Sequence, residues 1–321
     1  LSTGRRAAGA RSAAHGIIYK GKTMEIQKAT LSDMFGWVKG TFKLVRMNWG
    51  KFAMASLTTF LVVLIPLLAF ILIFAGVFSG MNAHGAAPKD WQSISAIYGI
   101  VLAVSVVLFP PLLAGWLLLC QKFDGGGSAG LGTLFKPYHS GASWLKMSVA
   151  SALLIGLYLL LQAVYIGICY KLGLDEDLNN FLLLQLNPKA EVSLSASFWA
   201  AYAGFLIFAQ LLTFALMLGF TEAALSANSA SRSVSRALLG AAKNFGTYLV
   251  LLVALLIVGL LAALALGLLV ALIVGALALL QNAVVNGIAI AIGVVLYIVL
   301  LLFIYPLMFS FHYFSWKCIL G

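Results

Sequence analysis

Few residues in this chain could do chemistry, and their spacing argues against it. Asp175-Glu176-Asp177 could attract a divalent cation. Three successive carboxylates point in different directions, however, and the nearest other acid is Glu191, so a solvated acidic loop is expected. The histidines, His15, His84, His139 and His312, lie in four separate segments. His312, flanked by Tyr305 and Tyr313, is expected to make an interfacial hydrogen bond and not to relay protons. Cys120, Cys169 and Cys318 form neither a CxxC pair nor a cluster with histidine, which predicts apolar packing. Gly125 to Gly130 fits GxGxxG, but a dinucleotide loop needs a preceding strand, whereas an apolar helix precedes this one. A flexible loop is therefore expected. Asp124 and Glu222 sit just beyond apolar stretches, and each is expected to pair with a Lys or Arg. No paired carboxylates, nucleophile–base set or metal-ligand cluster emerges, so no catalytic residue, cofactor or metal is assigned and a non-enzymatic protein is expected.

The elements that carry these residues are membrane spans. Hydrophobic residues make up 63% of the 321 and charged residues 9%, against about 25% charged in a soluble domain. Asn244 to Trp316 contains no Asp, Glu, Lys or Arg. Within it, Tyr248–Leu280 and Ile288–Phe309 are unbroken apolar runs, each longer than the ~20 residues needed to cross hydrocarbon. Gly259, Ala263, Gly267, Ala271 and Gly275 recur at i+4 along the first run, a stripe that lets a neighbouring helix approach closely. The expected fold is an all-α membrane protein with six transmembrane helices. They are Phe52–Ser79, Ile94–Cys120, Met147–Tyr170, Ser197–Phe220, Thr247–Leu280 and Val284–Phe309, within a single domain over residues 24–321.

Residues 1–23 hold five basic residues, no acid and no apolar core for a signal peptide, and read as a disordered basic extension before Met24. After it, Phe35, Val38, Phe42, Val45, Trp49 and Phe52 fall on one helical stripe beside Lys39, Lys43 and Arg46. That pattern predicts an amphipathic helix in a lipid interface. With the N-terminus cytoplasmic, 17 of the 20 Lys and Arg lie inside, which predicts cytoplasmic termini. Trp49, Trp144 and Trp316 then mark the inner boundary. Lys39, Lys43, Arg46, Trp49, Arg232, Arg236 and Lys243 are the candidate interface residues, facing anionic headgroups of the bilayer. The net charge of +11 is explained by these flanks, so nucleic acid is not expected as a partner.

A repeat organises the chain. Asn48-Trp49-Gly50-Lys51-Phe52 matches Asn244-Phe245-Gly246-Thr247-Tyr248 at an offset of 196, which also carries Pro110 onto Pro306. A third, weaker copy runs through Leu131, Leu134, Phe135, Tyr138, Gly141 and Trp144. Three parallel pseudo-repeats are expected, each a cytoplasmic interfacial helix followed by two spans. Pro66, Pro110-Pro111 and Pro306 are candidate helix breaks that could expose backbone groups to a solute. Gln162 and Gln210 are expected to hydrogen-bond across helices.

Asn48-Trp49-Gly50-Lys51, Phe123-Asp124-Gly125-Gly126-Gly127 running to Phe135, Ser235-Arg236-Ala237-Leu238 and Tyr313-Phe314-Ser315-Trp316-Lys317 resemble a family of uncharacterised proteobacterial six-span inner-membrane proteins. That family is loosely similar to the membrane domain of some glycerophosphodiester phosphodiesterases. The resemblance, over Met24 to Gly321, implies six helices in a bacterial inner (cytoplasmic) membrane and brings no catalytic residue with it. The chain departs from the family at Trp316-Lys317-Cys318, where members carry an aromatic-Arg-Asp run. The functional expectation is a protein that organises lipid or assists a membrane-protein partner or a second copy of itself. A facilitator or permease for a small apolar or amphipathic solute is the alternative.

Overall fold

Thr30 starts the first helix with a reciprocal cap. Its hydroxyl accepts from the Asp33 backbone N–H at 3.3 Å, and its own N–H and hydroxyl both donate to the Asp33 carboxylate at 2.7 Å. These bonds from Thr30 hold the Asp33 carboxyl below its ordinary range. The computed structural model describes residues 25–64, 68, 91–186, 192–254, 256–257, 260–261, 264 and 302–321. Its elements are α1 (Leu31–Met47), α2 (Trp49–Leu64), α3 (Trp91–Asp124) and α4 (Gly132–Phe135), the last continued by a 3-10 turn over Lys136–His139. Then come α5 (Gly141–Lys171), α6 (Asp175–Leu186), α7 (Ala196–Leu225), α8 (Ala230–Lys243), α9 (Phe245–Ala254) and α10 (302–319). The protein is all-helical, with no strand among the described residues.

Val106–Asp124, α5 and α7 are each long and apolar enough to cross a membrane. The pairs α1–α2 and α8–α9 meet the same test jointly but bend by 90° and 74°, giving three to five candidate spans and a multi-pass membrane protein. The basic extension 1–23, Pro66, the small-residue stripe from Gly259 to Gly275 and much of the expected first, fifth and sixth spans lie outside the described residues.

Both bends have the same cause. Asn48 caps the C-terminus of α1, and Asn244 caps that of α8. Each turns its side-chain amide back onto the carbonyl four residues earlier, Leu44 at 3.1 Å and Gly240 at 2.8 Å. Each then offers its own carbonyl to the next helix, at Phe52 and Tyr248, both at 3.0 Å. An amide side chain thus stops one helix and the following backbone starts another. The offset of 196 also carries the five buried residues of α1 (Met34, Trp37, Thr41, Leu44, Val45) onto buried residues of α8 (Ala230, Ser233, Ala237, Gly240, Ala241).

The expected apolar stripe of α1 is split by its neighbours. Val45 and Phe52 enter the core, whereas Phe35 and Phe42 stay 68% and 60% exposed. The face that packs is set by Met34, Trp37, Thr41 and Leu44, whose spacing is equally helical.

The prolines do not break their helices. Pro110 and Pro111 lie inside α3 and Pro306 lies inside α10. A proline cannot donate to the carbonyl four residues before it, and here side chains take that place. Trp144 Nε1 donates to Val107 at 2.9 Å, opposite Pro111, and Ser56 Oγ donates to Leu302 at 3.4 Å, opposite Pro306. Tyr138 adds its hydroxyl to the Leu108 carbonyl. At Pro111 and Pro306 the freed carbonyl is therefore taken by a side chain of a neighbouring helix.

Two glycine turns need positive φ. Gly126 (φ 71) and Gly173 (φ 68) end α3 and α5. Around them Gly127 N–H returns to Lys122 O at 2.9 Å and Leu174 N–H to Cys169 O at 2.9 Å, the long bond of a Schellman cap. The first glycines of the GxGxxG stretch thus form a helix stop, and residues 127–130 follow as a loop. Asp175, Glu176 and Asp177, expected in a loop, form the first turn of α6, where carboxylates complement the helix dipole.

Candidate functional site

The packed core lies at one end of the long helices, where α1, α8 and the C-terminal half of α10 meet the end of α3 and the foot of α7. Trp116 is its centre: fully buried, stacked on Phe52 at 5.9 Å and Phe309 at 5.2 Å, and donating to Thr59 Oγ1 at 2.9 Å. α4 reaches it because position 115 of α3 is glycine. A Cβ there would lie 2.1 Å from the Leu134 carbonyl oxygen. Away from this base the helices display bare apolar side chains, such as Leu160 and Phe208, as lipid-facing segments do. At the far end Phe181, Phe198 and Tyr202 pack together, and Asp177 accepts from both the N–H and the hydroxyl of Ser195.

The base holds a buried polar network. Glu222, 2% exposed at the foot of α7, faces the Arg236 guanidinium at 3.1 Å and accepts from Asn228 Nδ2 and Trp316 Nε1, each at 2.6 Å. Arg236 also donates to the Leu320 carbonyl at 3.2 Å, and Lys146 donates to Ser226 at the C-cap of α7 at 2.8 Å. A second pair joins Asp124 to Lys317, with the Tyr313 hydroxyl donating to the same carboxylate at 2.9 Å. Both acids thus pair with a cation, as expected. Each carboxylate is occupied by donors that tie distant segments together, which is the work of a clamp.

Asn244 forms a third clamp. It is buried, accepts from the Ala29 N–H at 2.6 Å and donates to Gln27 O at 3.0 Å. Thr247 adds a bond to Ala29 O at 3.0 Å, and Gln27 N–H reaches Ile319 O at 3.0 Å. The segment before α1 is thereby laced to the α8–α9 elbow and to α10.

The candidate interface residues divide between two settings. Lys39, Lys43 and Arg46 are exposed together on the outer face of α1, beside exposed Phe35 and Phe42. Arg232 and Lys243 are also exposed, and Lys243 donates to the Ile26 carbonyl. Trp49 is half-buried and stacks on Phe303 at 4.3 Å. Arg236 is instead a core residue, drawn inward by Glu222, and Trp316, expected at the boundary, is buried against the same acid. His312 packs among Leu113, Leu117 and Phe309 at a cavity of ≈ 10 Å³, and no described hydrogen bond involves it; burial lowers its pKa to about 4. No hydrogen bond joins Gln162 to Gln210 among the described residues.

Sequence reasoning placed Trp144 at the inner boundary but missed its bond to Val107, and it passed over Asn228 and most of the buried face of α1. For α1 the signal was available, because residues 34, 37, 41, 44 and 45 follow helical spacing. For Trp144 it was not, since its acceptor Val107 lies on another helix, and Asn228 meets Glu222, six residues earlier, only because the chain turns back between α7 and α8. Comparison of the chain with protein-family models, curated proteins and solved structures yields no match.

Proposed function

We propose that this protein is a non-catalytic, multi-pass protein of a bacterial inner membrane that organises anionic lipid around its base. The observation that carries the reading is the outer face of α1, where exposed Phe35 and Phe42 lie beside exposed Lys39, Lys43 and Arg46. Apolar side chains that enter the headgroup region beside cations that meet phosphates are the chemistry of an interfacial helix. Each such cation adds roughly 1 kcal/mol near an anionic leaflet. The 90° bend at Asn48 supports the reading, since a helix perpendicular to a span runs along the membrane surface. In this reading the chain has six spans in three parallel units, with elbows at Asn48 and Asn244 in the first and third, and both termini are cytoplasmic. The resemblance to the proteobacterial six-span proteins agrees with it.

The test is the lipid that travels with the protein. Wild type and a Lys39→Glu/Lys43→Glu/Arg46→Glu variant are extracted in native polymer discs and their lipids quantified against bulk membrane. Enrichment of anionic lipid in wild type, lost in the variant, is expected. Bulk composition around wild type would sink the proposal.

A further inference from the structure

A groove of ≈ 450 Å³ opens at the α8–α9 elbow, between that elbow and the segment that enters α1. Lys28 and Lys243 border it, and its lining contains no Asp or Glu. Lys28 is exposed and makes no described hydrogen bond or ion pair, and the Lys243 ammonium spends one donor on Ile26 O and keeps two. Gly246 leaves the floor open, with nothing within 4 Å of where a Cβ would stand. The first turn of α9 also faces the groove and adds the partial positive charge of a helix N-terminus.

The groove continues as an apolar track. Leu31 and Val250 line it, 51% and 45% exposed. On α9, Val253 is 49% exposed, and beyond it Ile257, Leu260 and Leu264 are 55%, 62% and 62% exposed; at a helical spacing of about 100° per residue these positions and Val250 fall on one side. Positive charge at the foot of a span, an open floor and a bare apolar stripe above have the shape of one lipid molecule.

We propose that this elbow groove binds a single anionic phospholipid, with its phosphate between Lys28 and Lys243 and its acyl chain along α9. The proposal rests on the lipid-organising role above and gives it one defined site. Charge complementarity selects the occupant, because two ammonium groups on a groove whose lining holds no carboxylate favour a headgroup of net negative charge over a zwitterionic one.

The test is native mass spectrometry on the delipidated full chain in mild detergent, given equal phosphatidylglycerol and phosphatidylcholine. Wild type is expected to retain one phosphatidylglycerol preferentially. Lys28→Ala/Lys243→Ala should weaken that adduct by roughly tenfold or more, whereas Lys39→Ala/Lys43→Ala on α1 should leave it intact. Because Lys243 also tethers Ile26, Lys28→Ala alone and Gly246→Leu, which fills the floor without changing charge, serve as independent variants, and each should weaken the adduct. Equal retention of the two lipids, loss of the adduct in the α1 variant alone, or binding of inorganic phosphate without preference for the lipid would each overturn the site. Anionic enrichment in native discs without a discrete adduct overturns the groove and spares the broader role. Absence of both overturns both.

Discussion

Trp144 on α5 gives its indole N–H to the Val107 carbonyl on α3 at 2.9 Å, the carbonyl that Pro111 cannot serve. The bond fixes α5 against α3 at the point where the α3 ladder is interrupted. Trp144→Phe should therefore lower stability by about 0.5–1.5 kcal/mol, because that hydrogen bond is lost. Pro111→Ala restores the ladder donor and should recover part of that loss in the double variant. Thermal unfolding in detergent across the four-protein cycle measures it, and additive effects would refute the coupling.

Gly115→Ala should be among the most damaging single-methyl changes in the chain. The new Cβ would lie 2.1 Å from Leu134 O, a backbone atom that moves only with α4. A loss of about 3 kcal/mol or more is expected from such overpacking. Gly156→Ala on α5 meets nothing within 4 Å and should be neutral or stabilising by up to about 1 kcal/mol. Similar melting shifts for the two variants would refute the close approach of α4.

Removing one partner of the Glu222–Arg236 pair leaves a buried charge alone. Arg236→Met should cost about 3–5 kcal/mol, and Glu222→Leu/Arg236→Met should cost less than the arginine change by itself. Denaturation of the purified proteins decides the order.

Asn244 and Asn48 occupy matching elbows but carry different loads. Asn244 makes bonds to residues 27, 29 and 240, whereas the bond described for Asn48 is the one to Leu44. Asn244→Ala should thus cost about twice as much as Asn48→Ala, on the order of 2–3 kcal/mol, and should speed proteolysis near residues 25–30. Equal cleavage rates in the two variants would contradict the clamp.

Burial lowers the His312 pKa to about 4, so the folded protein resists protonation there while the unfolded chain takes up a proton near its ordinary value. Between pH 6.5 and about 4 the unfolded state binds more protons, and stability falls as pH falls. Wild type should lose on the order of 1–3 kcal/mol from this group over that window, and His312→Leu should flatten that part of the melting-temperature profile. An unchanged acid slope in the variant would assign it to other groups.

Composition and apolar run length determined the class of this protein. Charges cannot be spared from a soluble surface, and ~20 apolar residues suffice to cross hydrocarbon, so α5 and α7 were legible in their apolar stretches, while the start of α5 at Gly141 and the end of α7 at Leu225 lie beyond the expected Met147 and Phe220. The elbows were legible too, because Asn48 and Asn244 act within four residues of themselves. Pairing of Asp124 and Glu222 with cations followed from the cost of an unpaired acid, but the identity of the partners, Lys317 and Arg236, did not. Only tertiary structure decided that α1 buries Trp37 and displays Phe35, that Arg236 turns inward, and that Trp144 closes the gap at Pro111. Periodicity states that a helix has an apolar side and a basic side. Which apolar residues meet protein and which remain for lipid depends on neighbours hundreds of residues away, and local spacing carries no record of them.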